Sequence, residues 1–320
     1  MNILVSSAGR RVKIVQYLKE HLDKINGKVI AVDCDEKAPA LYFADEKDIV
    51  PRVDNEHYLE ELMNICRKYK VDAILSLIDP ELEMLAANRK FFDELDIKLI
   101  LSSFEMLTIG YDKQATYNYL LEKGIPSVPT FSNVKSVEEK IDSNLLNFPF
   151  IVKPQKGSAS IGIKVANNLE ELNKLFEEED NLIIQPFYKD KEFGIDVYVD
   201  LIDGHLVDFF IKEKICMRSG ETDKSIAIHS REISSLIENF VAKTDFRGQI
   251  DIDCFEYEGK YYISEINPRF GGGYPHAHEA GVNFMKYIIQ NMNNSVNKKY
   301  TSYNYEAGNI MMKYDNVKLI

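Results

Sequence analysis

The sequence predicts an α/β region followed by an α+β region: a doubly wound parallel sheet at the N-terminus, then antiparallel sheets. Three observations carry that prediction. Up to about residue 108, short apolar runs alternate with stretches whose apolar residues recur at helical spacing. At "GIPSVPT", residues 124–130, a glycine and two prolines interrupt the alternation and impose an extended connector. Beyond it the pattern turns mostly β, with several runs separated only by short turns.

Taken in order, "NILVSS" reads as a buried strand, and the stretch that follows to Ile25 as a helix with Val12, Val15, Leu18 and Leu22 among its apolar positions. "KVIAVDCD" is a strand, "HYLEELMNICRKYK" a helix, "VDAILSLID" a strand, "ELEMLAANRKFFDEL" a helix and "IKLILSS" a strand. The helix "DKQATYNYLLEKG" stops at Gly124. Past the connector, "FPFIVKP", "IGIKVAN", "NLIIQPF", "FGIDVYVD", "HLVDFFIKEKICMR", "QIDIDCFEYEG" and "KYYISEI" are strands, "SGETDK" is a loop, and Asn291 to Tyr300 is a polar loop.

Composition excludes several classes. With 45% hydrophobic and 28% charged residues the chain is an ordinary globular one, and 320 residues suffice for more than one core. A formal charge of -12 opposes a phosphate backbone, so nucleic acid is not an expected partner and any anionic ligand must be met by a local cationic pocket. Cys34, Cys66, Cys216 and Cys254 stand singly and read as reduced thiols. "MNILVSSAGRR" has no basic leader before an apolar stretch and no run has membrane-spanning length, so a cytoplasmic protein away from membranes is expected.

Two stretches carry chemistry. In "SEINPRFGGG", residues 264–273, strand alternation puts Glu265 and Asn267 on one face, and Arg269 continues the row as the strand ends at Pro268. The turn at "EYEGK" folds the preceding strand back, so Asp253 or Asp251 comes to lie opposite Glu265. Two carboxylates and an amide oxygen are hard ligands suited to Mg²⁺ shared with water and phosphates. In "VKPQKGSASIG", Gly157 and Gly162 have P-loop spacing, but Ile163 replaces the lysine and a strand follows where a helix should start. A Gly/Ser hairpin loop remains, able to donate backbone N–H groups to phosphates beside Lys153. Elsewhere, Gly9, Arg10 and Arg11 form a helix start that favours a substrate carboxylate or phosphate. Lys212, Lys214, Cys216 and Arg218 share a strand face, of which Arg218 is the candidate for the substrate. His276 and His278 lack a third metal ligand in a fitting neighbourhood.

Asp112–Lys113, "IPSVPT", "VKPQKGSASIG", "IIQPF" followed by Glu192, and "DIDCFEYEGKYYISEINPRF" occur in the order and rough spacing of the ATP-grasp superfamily. The set resembles the carbamoyl phosphate synthase large-subunit type most closely, over nearly the whole chain. That resemblance implies a preATP-grasp domain over 1–108, a small ATP-grasp lobe over 109–187 and a large lobe over 188–320 carrying the metal site. It implies ATP between the lobes, with Lys113 and Lys153 on phosphates or adenine and Gly157, Ser158 and Ser160 in the loop over the phosphates. Gln185 to Phe187 would then be the adenine hinge and Glu192 the ribose ligand. It further implies two Mg²⁺ (or Mn²⁺) ions on Asp253, preferred over Asp251, with Glu265 and Asn267, and Arg269 on the transferred phosphoryl group.

The chain has one such unit, whereas a carbamoyl phosphate synthase large subunit has two. The resemblance therefore implies a stand-alone carboxylate–amine ligase using an acyl phosphate, with a small carboxylic acid and an amine as substrates and a homodimer compatible with it. Phosphorylation of bicarbonate or carbamate and a non-catalytic nucleotide-binding subunit are the alternatives.

Overall fold

The computed structural model describes residues 1–157, 162–189 and 191–320. Its N-terminal sheet consists of β1 (Asn2–Ser6), β2 (Lys28–Asp33), β3 (Glu46–Ile49), β4 (Ala73–Ser76) and β5 (Lys98–Leu99), all parallel in the order β3-β2-β1-β4-β5. The order reverses between β1 and β4, the place where such sheets open a crevice beyond their carboxyl ends. Helices α1 (Val12–Leu22), α2 (Tyr58–Tyr69), α3 (Asp79–Ala87) and α4 (Arg89–Asp93) are the crossovers. α1 buries Ile14, Val15, Leu18 and Leu22, the helical spacing read from the sequence. The single helix expected over residues 81–95 is broken at Asn88, whose side-chain amide donates to the Met84 carbonyl at 2.9 Å and competes with the helical ladder. β3, "EKDI", was invisible to a search for apolar runs because it is a polar edge strand.

Two helices lead out of this domain. α5 (Phe104–Tyr111) is capped by Ser103 and α6 (Lys113–Glu122) by Asp112, whose carboxylate accepts from the Gln114 and Ala115 amides at 3.0 Å. The connector after Gly124 is extended, as its prolines require. It bonds first to one sheet, Val128 N–H to the Ile263 carbonyl at 2.8 Å, and then to another, Phe131 N–H to the Ile184 carbonyl at 3.0 Å.

The second of those sheets is small: β6 (Phe150–Pro154), β7 (Lys164–Ala166) and β8 (Leu182–Pro186), in the order β7-β6-β8. Helices α7 (Val134–Asp142) and α8 (Leu169–Glu178) cover it around a core that includes Val137, Phe150, Leu172 and Ile184. The larger sheet has β9 (Glu192–Val199), β10 (Leu206–Arg218), β11 (Glu221–Ala227), β12 (Gly248–Tyr257), β13 (Lys260–Asn267) and β14 (Ile310–Met312), antiparallel in the order β13-β12-β9-β10-β11-β14. Helix α9 (Arg231–Lys243) packs Ile233, Ile237 and Phe240 into one core of this sheet, together with Met106 of α5 and Leu120 of α6.

The expected loop "SGETDK" is a hairpin instead. Ser219 (φ 51°) and Gly220 (φ 75°) form a two-residue turn with both residues left-handed, which matches strand twist, and "ETDKSIA" returns as β11. α10 (Tyr274–Glu279) and α11 (Phe284–Met292) complete the fold. Tyr274, Phe284 and Ile288 share a core with Ile3, Val5 and Leu18, so the N-terminal sheet and the C-terminal helices bury one another. Among the described residues no helix is long and apolar enough to cross a membrane.

Candidate active site

The large sheet carries charge on the face turned toward the small one. Strand register sets the pattern: Asp253 lies opposite Glu265, and Asp251 opposite Asn267 on one side and Asp196 on the other. Like charges opposed across a ladder repel, so the sheet places cations among them. Lys212 and Asp196 form a buried ion pair, 1% and 2% exposed, beneath the surface of the site. Lys214 lies 2.6 Å from Asp253 Oδ1 and donates to Glu192 at 2.7 Å, bridging the two acids. Burial works against the Lys214 charge, but Asp253, Glu192 and Asp251 outweigh it and hold the ammonium above its ordinary pKa. Asp251 goes the other way. Burial, then the neighbouring Asp253 and Asp196, push it up to about 7 against the pull of Lys212 and Lys214.

From above, Lys153 of β6 comes within 4.0 Å of Glu265. Burial, reinforced by Lys113, lowers its pKa despite Glu265. Lys113 is fixed at the start of α6 by the Asp112 cap, only 7% exposed, and donates to the Gly157 carbonyl at 2.6 Å. Arg269 is buried and held three ways: Nε donates to Asp79 at 3.0 Å, one terminal nitrogen to Asn267 Oδ1 at 3.0 Å, the other to the Phe270 carbonyl at 3.2 Å.

The glycines after Arg269 make room for charge. A Cβ on Gly271 would stand 2.3 Å from the Asp251 carboxylate, one on Gly272 2.8 Å from Glu221, and one on Gly273 2.6 Å from Lys212. Any side chain there would displace a charged group from the site.

These parts line one cleft of about 430 Å³. Its outer end is formed by Ile151, Ile163 and the run Gln185 to Tyr188, its floor by Glu192, Lys214, Asp251, Asp253, Glu265 and Asn267, and its far end by Arg10, Arg11, Glu221 and Arg269. The structure thus brings together Lys153, Gln185, Phe187, Glu192, Asp253, Glu265, Asn267 and Arg269, with Lys113 and Gly157 joined to one another by a hydrogen bond. The Gln185 amide is spent on the Thr130 hydroxyl at 2.9 Å, and the Phe187 N–H on the Pro149 carbonyl at 3.2 Å. Ser158 and Ser160 lie outside the described residues.

Arg218 is not brought to the cleft. A bulge between Lys214 and Met217 breaks the alternation of β10, so Met217 lines the cleft while Arg218 pairs with Asp223 at 3.0 Å and Asp315 at 3.3 Å. Cys216, on the same strand, is exposed. Sequence reasoning missed Asp196 and Glu221 as members of the site. "GIDVYV" does place Asp196 among apolar neighbours, a signal for a buried paired charge, whereas Glu221 sits in a polar strand with no such contrast.

The site can be tested for a divalent cation. Five carboxylates (Glu192, Asp196, Asp251, Asp253 and Glu265) face Lys153, Lys212 and Lys214, with Arg269 at the margin, and the two cations nearest Asp251 leave it raised. Oxygen-rich and short of positive charge, the donor set fits Mg²⁺.

Comparison with known proteins places the fold. Residues 111–273 match the family described as "ATP-grasp domain", and residues 3–100 the one described as "PylC-like, N-terminal domain". The chain is 25% identical over 230 residues to the carbamoyl phosphate synthase large chain of Clostridium beijerinckii, covering 66% of this chain and 21% of that one. It is 29% identical over 226 residues to the D-alanine–D-alanine ligase of Nitratiruptor sp., 63% of each chain. It therefore spans about a fifth of the former relative and under two thirds of the latter. Among solved structures, the biotin carboxylase domain of the Hydrogenobacter thermophilus 2-oxoglutarate carboxylase, in complex with MgADP, ADP and bicarbonate, superposes with a TM-score of 0.78 at 18% identity over 97% of this chain and 73% of that one. The N5-carboxyaminoimidazole synthetase of Staphylococcus aureus, complexed with ADP, gives 0.73 at 20% identity over 93% and 78%. At these identities the likeness is one of fold.

Proposed function

This chain belongs to the ATP-grasp family, and from that premise we propose that it is an ATP- and Mg²⁺-dependent carboxylate–amine ligase working through an acyl phosphate. The observation that carries the reading is the register of β12 against β13, which sets Asp253 opposite Glu265 and Asp251 opposite Asn267 beneath Lys153. Asp253, Glu265 and Asn267 would hold two divalent ions, Mg²⁺ or Mn²⁺. Bound there, the ions supply neutralisation of triphosphate charge. Asn267 Oδ1 already accepts from Arg269, and its second lone pair is left for a ligand.

The chain's own residues do the rest. The apolar outer end around Ile151, Ile163 and Phe187 receives adenine, Glu192 the ribose, and Lys153 in the cleft, with Lys113 at the Gly157 carbonyl, the phosphate oxygens. The substrate carboxylate attacks the γ-phosphorus, the bond to the β-γ bridging oxygen breaks, and ADP leaves. The amine then attacks the acyl carbon, expelling phosphate and losing a proton. Arg269, with three of its five N–H groups fixed by Asp79, Asn267 and Phe270, presents the remaining two to the transferring phosphoryl without reorganisation. Proximity and charge placement supply the rate, as in phosphoryl transfer generally.

The test is ADP release from ATP and Mg²⁺ across paired carboxylic acids and amines, with product mass as the second readout. Release is expected to require both partners and to vanish in Glu265→Ala. Full turnover in that variant rejects the metal assignment, and release that needs bicarbonate but no organic acid replaces the ligase reading by bicarbonate phosphorylation.

A further inference from the structure

Among the described residues, two guanidinium groups that line the cleft meet only one carboxylate there. Arg10 and Arg11 enter from the end of the N-terminal sheet, and among the described residues both meet the same atom, Glu221 Oε1, at 3.2 and 3.3 Å. The other oxygen of Glu221 accepts from Lys313 at 3.0 Å. Arg10, Arg11 and Lys313 thus share the single carboxylate of Glu221, an excess of two positive charges within that cluster.

Arg11 is the sharper case. Its side chain is 22% exposed, and burial lowers its pKa even against the pull of Glu221. A half-buried guanidinium sharing one carboxylate oxygen with a second guanidinium leaves most of its donor fork unused. Nothing in the proposed chemistry employs it, since the triphosphate is met by Lys113, Lys153, Arg269 and the metal-binding floor. The fork geometry of arginine suits carboxylate or phosphate oxygens bound two at a time.

We infer that the acid substrate carries a second anionic group, carboxylate or phosphate, besides the carboxylate that reacts, and that Arg10 and Arg11 hold it. Glu221 is the internal anion that occupies these arginines in the free protein. Gly272 is what lets it reach them, because a Cβ there would stand 2.8 Å from the Glu221 carboxyl group. The identity of the bound molecule as a substrate rests on the ligase reading; the charge trap does not.

The experiment is titration calorimetry of the whole chain, with and without MgADP, using acetate, succinate, glutarate and phosphoglycolate. At least one doubly anionic probe is expected to bind ten-fold or more tightly than acetate, and whether a dicarboxylate or phosphoglycolate leads assigns the second group. Arg11→Gln should weaken that probe roughly 10- to 100-fold, the range for a lost charged hydrogen bond, while MgADP affinity holds. Arg11→Lys, which keeps the charge, should weaken it less and guards against a folding artefact. Glu221→Gln should tighten it, because the competing internal carboxylate is gone. A merely structural ion cluster would give weakening in both Arg11→Gln and Glu221→Gln, and that result overturns the inference, as does a panel in which no doubly anionic probe outbinds acetate. If MgADP binds and the diacids do not, the inference falls and the ligase reading stands. If MgADP itself fails to bind, the ligase reading falls, and the titration without nucleotide still decides the charge trap.

Discussion

Arg269 is both a candidate catalytic group and a structural one, and the two roles separate experimentally. Its guanidinium is buried against Asp79, which is 5% exposed and has no second cation among its described ion pairs. Removing one partner of such a pair strands the other charge, typically costing about 3–5 kcal/mol, whereas removing both is far milder. Arg269→Ala is therefore expected to lose about that much stability in urea and to lose ADP release. Adding Asp79→Asn should return most of the stability and none of the activity. A single variant that costs under about 1 kcal/mol would show that the pair is already solvated. The row Glu265, Asn267, Arg269 was legible because strand alternation needs only sequence spacing. Asp79 as its partner was not, since the two residues lie 190 positions apart and only the docking of the N-terminal domain joins them.

Among the elements, β10 and α10 show where periodicity stops being a guide. The sequence puts Lys212, Lys214, Cys216 and Arg218 on one face, and the face holds as far as Lys214, where the bulge flips it. A bulge leaves no mark in a hydrophobic pattern, because "ICMR" reads equally well in either register. On α10, the pair His276 and His278 suggests a metal motif only until the neighbours are known. His276 Nδ1 shares a hydrogen with Ser225 Oγ at 2.8 Å, and His278 stacks on Tyr17 with ring centroids 3.6 Å apart. Burial, with Lys212, pushes His276 down to about 4. Burial, with His21 and Lys13 and against Glu279, does the same to His278. An unfolded histidine binds a proton near pH 6.5, so between about 6.5 and 4 the unfolded chain holds protons the folded one does not. Stability from these residues is complete above pH 6.5 and drains away as pH falls toward 4. Asp251, held up near 7, works the other way over the same range because the folded chain keeps its proton, so the test is a comparison. From pH 6.5 to 4 the urea midpoint of His276→Gln should lose less, or gain more, than that of the parent chain, and an equal change would show that His276 is not among the groups that set the slope.

At the scale of the whole chain, the alternation of strands and helices revealed the parts but not which of them share a core. Ile3, Val5 and Leu18 pack with Tyr274, Phe284 and Ile288, and Ser102 Oγ donates to the Arg247 carbonyl at 2.9 Å while accepting from its amide at 2.8 Å. The N-terminal domain and the large sheet therefore have no apolar face to present to water separately without loss of burial. The small sheet differs: its core is drawn wholly from within residues 131–184, and its described ties to the rest are few and polar. They include the connector bond at Val128, the Gln155 amide to Asp112 at 2.7 Å, the Lys113 N–H to the Gln155 carbonyl at 3.1 Å, the Lys113 ammonium to Gly157, Lys156 over the Tyr111 ring, and Lys153 facing Glu265. We therefore propose two cooperative units, with the boundary near residue 130 and not at either end of α5 or α6, whose Met106 and Leu120 lie in the large-sheet core. Native-state hydrogen exchange reads this directly. Without nucleotide, amides of β6 and β8 should open at a lower free energy than those of β1 and β12, which should open together. On the proposed reading MgADP would be gripped by Lys153 from one unit and Glu265 from the other, and it should then raise the opening free energy of β6 and β8 by RT ln(1 + [L]/Kd), about 2.7 kcal/mol at a hundred-fold excess over Kd. Equal protection of β6 and β12 in the free protein would mean one unit, and separate opening of β1 and β12 would mean that the shared core does not couple them.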